Sequence, residues 1–186
     1  MNIKPSTFRL AVGLYAFTFL IGCKSIQEKH GYTRYSDDKN HFSIAFPSDW
    51  QVKQNKNGIA ISGIIPTDDN RAAKEGIIIV TRKVPTGSGK IPLDEFYNTS
   101  LEFLKGTFRD FTLVESKNVS VDGVEARMFT ARYKFGRHQL QGVFYVFVSN
   151  NIGYAISGSA SHENFSKNEK IFTQIIKTFR FESFTQ

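Results

Sequence analysis

The fold is decided by residues 111–159, which read FTLVESKNVSVDGVEARMFTARYKFGRHQLQGVFYVFVSNNIGYAISGS. Apolar-rich runs separated by turn residues predict four antiparallel strands joined as a meander. The clearest turn is Asp122–Gly123, because a two-residue hairpin needs positive φ at both positions and Asp-Gly adopts it readily. Gly136 and Asn150–Asn151 mark the other turns. Residues 143–148 are apolar on both faces of their strand, so we expect both faces of the sheet to be covered.

Further strands and a helix are predicted before this meander. Alternating apolar residues predict a half-buried strand at Phe42–Phe46, and Trp50 opens a second strand after a Pro-Ser-Asp turn. A third short strand is predicted at residues 59–64, and the continuous apolar run at 77–80 indicates a strand inside the sheet. Apolar residues at three- and four-residue steps then predict a helix from about Pro92 to Phe108.

A second helix is predicted after the meander. The segment from Ser166 to Glu169 has the form of a capping box, in which both side chains bind free amides of the first helical turn. An apolar stripe follows, made of Ile171, Phe172, Ile175, Ile176 and Phe179. The whole order predicts an α+β fold: an α/β/α three-layer sandwich with a central antiparallel sheet of about six to seven strands.

Composition restricts the class of protein. The 186 residues include 24 Lys and Arg against 17 Asp and Glu, and 40% are apolar, which excludes a disordered chain and a polytopic membrane protein. The one Cys excludes an internal disulfide and the usual four-ligand zinc site. Stability must therefore come from a packed core, for which 18 Phe supply apolar area.

The N-terminal residues differ in kind from the rest. Residues 1–22 have the pattern of a signal peptide, because Lys4 and Arg9 precede an uncharged run that ends near Gly22. This run is shorter than the roughly 20 apolar residues that a transmembrane helix needs. The polar residues 23–40, which begin with Cys23, predict a flexible tether, and residues 41–182 are expected to form the folded domain.

The end of the signal peptide resembles the lipobox of bacterial lipoproteins, at Leu20, Ile21, Gly22 and Cys23. The resemblance implies that the chain is cleaved before Cys23 and that a diacylglycerol is attached to the Cys23 thiol, which anchors the domain to a membrane. The alternative is an ordinary signal peptide that ends near an unmodified Cys23. Lys24 is not the Asp that keeps many enterobacterial lipoproteins in the inner membrane. We therefore expect the outer membrane, if the source has one.

Several segments together resemble the PsbP-like superfamily, over about His41 to Phe181. They are Phe42–Trp50, Val121–Gly123, Asn151–Tyr154 and the closing residues 175–181, in the order of elements given above. This superfamily includes the extrinsic P subunit of the photosystem II oxygen-evolving complex, a Ran-binding nuclear import factor and many bacterial lipoproteins. The resemblance implies the same sandwich, and it implies a binding or assembly role, because members of known role are not enzymes.

The sequence contains no motif for catalysis, a metal or a cofactor. The four histidines, His30, His41, His138 and His162, have no spacing used by paired metal ligands. The segment Gly87–Lys90 is similar to part of a phosphate-binding loop, but Ile91 stands where Ser or Thr is needed. No Gly-x-Ser-x-Gly elbow occurs. We therefore predict a protein that is not an enzyme and binds neither metal nor cofactor.

Basic residues cluster around one hairpin, at Arg127, Arg132, Lys134 and Arg137. Cations among aromatic residues are typical of an anion-binding or partner-binding surface. Strand alternation explains the pattern more simply, with the aromatic side chains inward and the cations in water. An exported protein is not expected to meet nucleic acid, so a nucleic-acid partner is not predicted.

These observations lead to one hypothesis and two alternatives. The leading hypothesis is a lipid-anchored, non-catalytic protein of the cell envelope that faces the periplasm or exterior and binds or helps assemble an envelope protein partner. The first alternative is a carrier of a small ligand or lipid, which needs a cavity lined by Phe and Tyr. The second is an envelope hydrolase whose site is assembled from distant residues.

Overall fold

A computed structural model of the protein describes residues 26–28, 31–56, 59–69, 74–83 and 92–182. Its strands are β1 (Ile26–Glu28), β2 (Tyr32–Asp37), β3 (Phe42–Pro47), β4 (Gln51–Lys56), β5 (Ile59–Ile64), β6 (Gly76–Lys83), β7 (Arg109–Val121), β8 (Val124–Phe135), β9 (His138–Ser149), β10 (Ile152–Ser161) and β11 (Arg180–Phe181). The helices are α1 (Leu93–Thr107) and α2 (Phe165–Lys177). Within these described ranges, neither helix has the length and apolar character to span a bilayer.

The central layer is an antiparallel sheet of seven strands in the order β4-β5-β6-β10-β9-β8-β7. Strands β7 to β10 form the predicted meander. Its first turn has φ of 46° at Asp122 and 80° at Gly123, and Asn150 and Asn151 are also left-handed. The apolar strand β6 lies between β5 and β10, as its sequence predicts. The α+β fold with a seven-stranded antiparallel sheet is therefore confirmed.

Each face of this sheet is covered by one helix. Helix α1 packs on β7, β8 and β9, where its Leu101 contacts a cluster that includes Phe129, Tyr133 and Phe144. Helix α2 packs on β9 and β10 from the opposite face, where Phe172 and Ile175 are fully buried. The predicted three layers are present. Side chains alternate along β8 and β9, so the apolar residues of these strands are divided between the α1 face and the α2 face of the sheet.

A second, smaller sheet was not predicted from the sequence. It has the order β1-β2-β3-β11 and packs beside α2 on the larger core. All residues of Phe42–Phe46 are buried, whereas we predicted a half-buried strand. The reason is that the second face of β3 is covered by the chain after α2. Thr178 Oγ1 accepts from Ala45 N at 2.8 Å, and Arg34 bridges Ser43 and Thr178.

The prediction of a flexible tether over residues 23–40 was wrong for Tyr32–Asp37. These residues form β2, which pairs with β3 along its full length, so the folded region begins before residue 41. Asp37 is buried and accepts hydrogen bonds from the backbone and side-chain nitrogens of Asn40, which explains why a polar segment packs. The signal peptide at 1–22 and the lipobox ending at Cys23 lie outside the described residues and stay predictions.

The predicted capping box at Ser166–Glu169 is also wrong. Helix α2 begins at Phe165, so Ser166 lies within its first turn. The Glu75 carboxylate lies at the start of the helix instead, where it accepts hydrogen bonds from the side chains of Asn164 and Asn168. Glu75 immediately precedes β6, almost 90 residues before the helix in the chain.

Candidate functional site: a groove beside helix α1

An apolar groove lies between α1 and the strands β6 and β10, and we call it the α1 groove. Its volume is about 340 Å³, near the lower end of the range of about 300–1,000 Å³ that is usual for small-molecule sites. Its main apolar lining comes from Val80, Phe96, Phe103, Leu104, Phe129 and Phe144. The polar groups in the described lining are the hydroxyls of Thr99, Ser100 and Ser157 and the guanidinium of Arg82.

The floor of the groove is made by small residues on one face of β10. Ala155 and Ser157 line the groove, and Gly153, at the next alternate position on the same side of the sheet, is covered by Phe96. A Cβ atom at Gly153 would lie 2.6 Å from the Phe96 ring, so only glycine lets this ring rest on the strand. The small floor keeps space open where a larger side chain would fill it.

The wall opposite α1 is β6. Arg82 pairs with Gly153 and Val80 pairs with Ala155 in the antiparallel ladder, so both β6 side chains border the groove. Val80 is 41% exposed, and Phe103 on the helix side is 69% exposed. Two large apolar side chains therefore form exposed lips on a groove that is itself apolar. Exposed apolar surface of this kind commonly marks a binding site.

Arg82 lies at the Gly153 end of the groove. Its side chain is exposed, and it has no hydrogen-bond or ion-pair partner among the described residues. The hydroxyl of Ser100 is occupied within the helix, because it donates to the Phe96 carbonyl at 2.7 Å. The groove therefore combines an apolar trough with one exposed cation at one end.

The start of α1 is fixed to the sheet by polar contacts outside the groove. Asp94 accepts from both Nη2 and Nε of Arg127, at 2.6 and 3.1 Å. Arg127 also donates to Asn118 on β7. The hydrogen bond with Asp94 raises the pKa of Arg127 above its usual value. Tyr97 adds a hydrogen bond with Ser116, so two β7 residues and one β8 residue position the helix beside the groove.

The structure does not bring all the predicted cationic residues together. Arg127 lies on the α1 face of β8. Arg132 and Lys134 are an odd number of residues away from it along the strand, so they face the other side of the sheet. Lys134 pairs with Asp110 at 2.7 Å, and this hydrogen bond lowers the pKa of Asp110. Arg137 lies in the β8–β9 turn.

Arg132 and Lys134 do share a cleft of about 280 Å³. It also contains Asp110 and His162, so its charge is mixed. Arg132 makes a long hydrogen bond of 3.4 Å to Gln141, which also contacts His162. An anion surface that includes these cations stays a prediction.

The described residues contain no group of three or more His, Cys, Asp and Glu side chains able to hold a metal ion. The segment Gly87–Lys90 and His30 lie outside the described residues. His41, His138 and His162 lie at the ends of different strands, as the sequence indicated.

Sequence reasoning missed the α1 groove, although part of its signal is visible in the sequence. The alternation of Gly153, Ala155 and Ser157 places small residues on one face of a core strand. Such a pattern is compatible with close helix packing as well as with an open groove. The two are distinguished by the position of α1, which lies over β7 to β9 and leaves the β6 side of β10 uncovered by the helix.

The fold is that of a small α+β protein, and it contains a groove of mainly apolar character beside α1. The sequence model of the PsbP-like protein family matches residues 22–181. The chain therefore belongs to the PsbP-like family. No curated protein matches the chain.

Solved structures with the same fold come from several bacteria. The cyanobacterial PsbP protein CyanoP of Synechocystis is 16% identical, with a TM-score of 0.62 over 87% of this chain and 98% of its own. LpqN of Mycobacterium tuberculosis, described as involved in cell envelope biogenesis, is 10% identical, with a TM-score of 0.60 over 86% of this chain and 90% of its own. A Pseudomonas aeruginosa protein of unknown function, described as a putative regulator, is 15% identical, with a TM-score of 0.55 over 79% and 94%. At these identities the likeness is one of fold.

Proposed function

We propose that this protein is a lipid-anchored, non-catalytic binding protein of the cell envelope, and that the α1 groove is the site through which it binds or helps assemble its partner. The observation that carries the proposal is the lining of the groove. Apolar side chains and hydroxyls surround it, and Arg82 is the one ionisable group in its described lining. Such a lining suits the binding of an apolar group, whereas acid–base or nucleophilic chemistry needs paired reactive side chains.

The family supports a binding role. PsbP-like proteins are generally not enzymes, and the structural neighbour LpqN is described as involved in cell envelope biogenesis. These likenesses support the envelope and the absence of catalysis as features of the proposal. They name no partner for this chain.

The anchor would hold the domain close to the membrane. Cys23 is three residues before β1, and three residues of extended chain span at most roughly 11 Å. A diacylglycerol on Cys23 would thus lie near the edge of the small sheet. The two acyl chains would make membrane residence stable without a transmembrane helix.

Photocrosslinking in the native host tests the binding site. A photoreactive benzoylphenylalanine is placed at position 103 on the lip of the groove, or at Val114, which is 47% exposed on β7 and outside the groove. We expect one recurrent adduct from position 103 that is lost when Val80→Glu is added, and no such adduct from position 114. The same adducts from both positions, or none from position 103, would contradict the proposal.

Mass spectrometry of the membrane-fraction protein tests the anchor separately. The expected N-terminal peptide begins at Cys23 and carries a diacylglycerol on sulfur, and the Cys23→Ala variant lacks this mass. An unmodified thiol in the wild-type protein would overturn the lipoprotein part of the proposal and leave the groove unaffected.

A further inference from the structure

We propose that the α1 groove binds a single-chain anionic amphiphile of the fatty-acid type, with its chain along β10 and its carboxylate on Arg82. This inference rests on the proposed function, because it names the class of ligand for the same groove. It is carried by the shape of the groove and by the position of its one charge.

The shape fits one extended hydrocarbon chain. On β10 the floor runs from Ala155 to Ser157, and on α1 the lining runs from Phe96 to Leu104, which are eight residues apart and span about 12 Å of helix. Phe96 covers the Gly153 end. The helix then follows the strand, because Phe108 beyond its C-terminus stacks on Tyr133 toward the far end of the sheet. A trough bordered along its length by a helix and by β6, with a volume of about 340 Å³, suits a single chain.

The charge is at one end of the groove. Arg82 is paired with Gly153 in the ladder, and the groove continues away from it past Val80 and Ala155. Because Arg82 has no partner among the described residues, its guanidinium is available for a carboxylate, which it can bind through two parallel hydrogen bonds. An apolar trough with a cation at its mouth is complementary to a chain with an anionic head.

The chemistry favours a small amphiphile over a protein segment. A helix or strand from a partner would present several side chains and backbone polar groups, whereas the described lining offers one charge and few free hydroxyls. A fatty acid satisfies the one cation and leaves the remaining surface apolar. Capture of a protein segment without any labelling by the laurate probe would therefore count against this inference.

The test uses full-length protein from the native host, reconstituted in phosphatidylcholine nanodiscs. The probe is a laurate analogue that carries a diazirine and an alkyne, and the labelled peptides are identified by mass spectrometry. We expect labelling of peptides that contain Val80 or Phe103. Val80→Glu should lower this labelling about tenfold or more, because it places a carboxylate in the apolar wall. The matched variant Val114→Glu makes the same change outside the groove and should leave the labelling unchanged.

Competition tests the role of the charge. Unlabelled laurate should compete about threefold better than lauryl alcohol, since the exposed Arg82 contributes the modest gain of a surface ion pair. Arg82→Gln should abolish this difference, whereas Arg132→Gln, on the opposite face of the sheet, should preserve it. Circular dichroism melting confirms that each variant is folded before it is compared.

Two results would overturn the inference. The first is equal labelling of the Val80→Glu and Val114→Glu variants, and the second is equal competition by laurate and lauryl alcohol. If laurate fails while position 103 still crosslinks a defined partner in the native host, the fatty-acid inference is wrong and the proposed function stands. If both experiments fail, the groove is not a binding site.

Discussion

Replacing Glu75 with alanine tests how α2 is held on the sheet. The Glu75 carboxylate accepts four hydrogen bonds: from the backbone N–H and the hydroxyl of Ser161, at 3.1 and 2.7 Å, and from the side-chain amides of Asn164 and Asn168, at 2.9 and 2.8 Å. Ser161 ends β10 and Asn164 precedes α2. One carboxylate therefore joins the start of β6, the end of β10 and the first turn of the helix.

The expected loss of unfolding free energy follows from the hydrogen-bond donors that lose the Glu75 carboxylate as their acceptor. Asn168 is 6% exposed, so its amide loses its acceptor in a buried position, which costs about 1–3 kcal/mol. Ser161 and Asn164 reach water, so each lost bond costs about 0.5–1.5 kcal/mol at most. Loss of the favourable interaction between the carboxylate and the helix N-terminus costs about 0.3–1 kcal/mol more. We expect Glu75→Ala to lower the free energy of unfolding by about 3 kcal/mol, which corresponds to a melting temperature roughly 6–12 °C lower.

Urea denaturation followed by circular dichroism measures this change. Glu169→Ala is the matched control, because it removes the carboxylate that the sequence placed in the capping box, and Glu169 makes no hydrogen bond through its side chain to the described residues. The control should lie within about 0.5 kcal/mol of wild type. The reasoning is refuted if Glu75→Ala is equally mild, or if Glu169→Ala costs as much as Glu75→Ala.

Three further predictions concern packing and protonation. Gly158→Ala places a Cβ about 2.7 Å from the Phe172 ring and should lower the free energy of unfolding by about 1–3 kcal/mol in urea titrations; a neutral result would contradict the packing described. Burial raises the pKa of Tyr154 from 10.0 to about 12, so the unfolded state loses the phenol proton at a lower pH than the folded state does. The free energy of unfolding should therefore fall as the pH rises from 10 to 12, and Tyr154→Phe should remove this part of the fall. A pH dependence unchanged by Tyr154→Phe would refute that assignment. Gly153→Ala should displace Phe96 from β10 and reduce crosslinking from position 103. An adduct yield equal to that of wild type would contradict the close packing of Phe96 on Gly153.

Much of the fold follows from local sequence signals. The Asp122–Gly123 turn sets the register of β7 and β8, because both residues adopt positive φ, and the register of a hairpin follows from its turn. The apolar stripe of α2 likewise predicts its buried face. Such features depend on residues that are close in the chain, so they are visible before any tertiary structure is known.

Other features depend on partners that are distant in sequence. The polar strand β2 packs because Asp37 finds Asn40 and because β3 is beside it, and neither contact is visible in its composition. The cap of α2 comes from Glu75, far from the helix in the chain. The α1 groove is a space between elements, and it depends on where a helix lies over a sheet. Arg127 was predicted as part of a cationic surface, whereas its contact with Asp94 is made across the α1 interface.

Thiol labelling in intact cells tests most directly whether the α1 groove is occupied in the native envelope. A cysteine replaces Phe103 on the lip of the groove, and a second variant carries Val114→Cys as the exposed control on β7. Cys23 is the one native thiol, and in this account its sulfur is blocked as a thioether to the diacylglycerol and does not react with maleimide. We predict that the thiol of Phe103→Cys reacts with a maleimide several-fold more slowly in cells than in purified, delipidated protein, while Val114→Cys reacts equally in both. Equal reactivity of Phe103→Cys in cells and in purified protein would contradict the account.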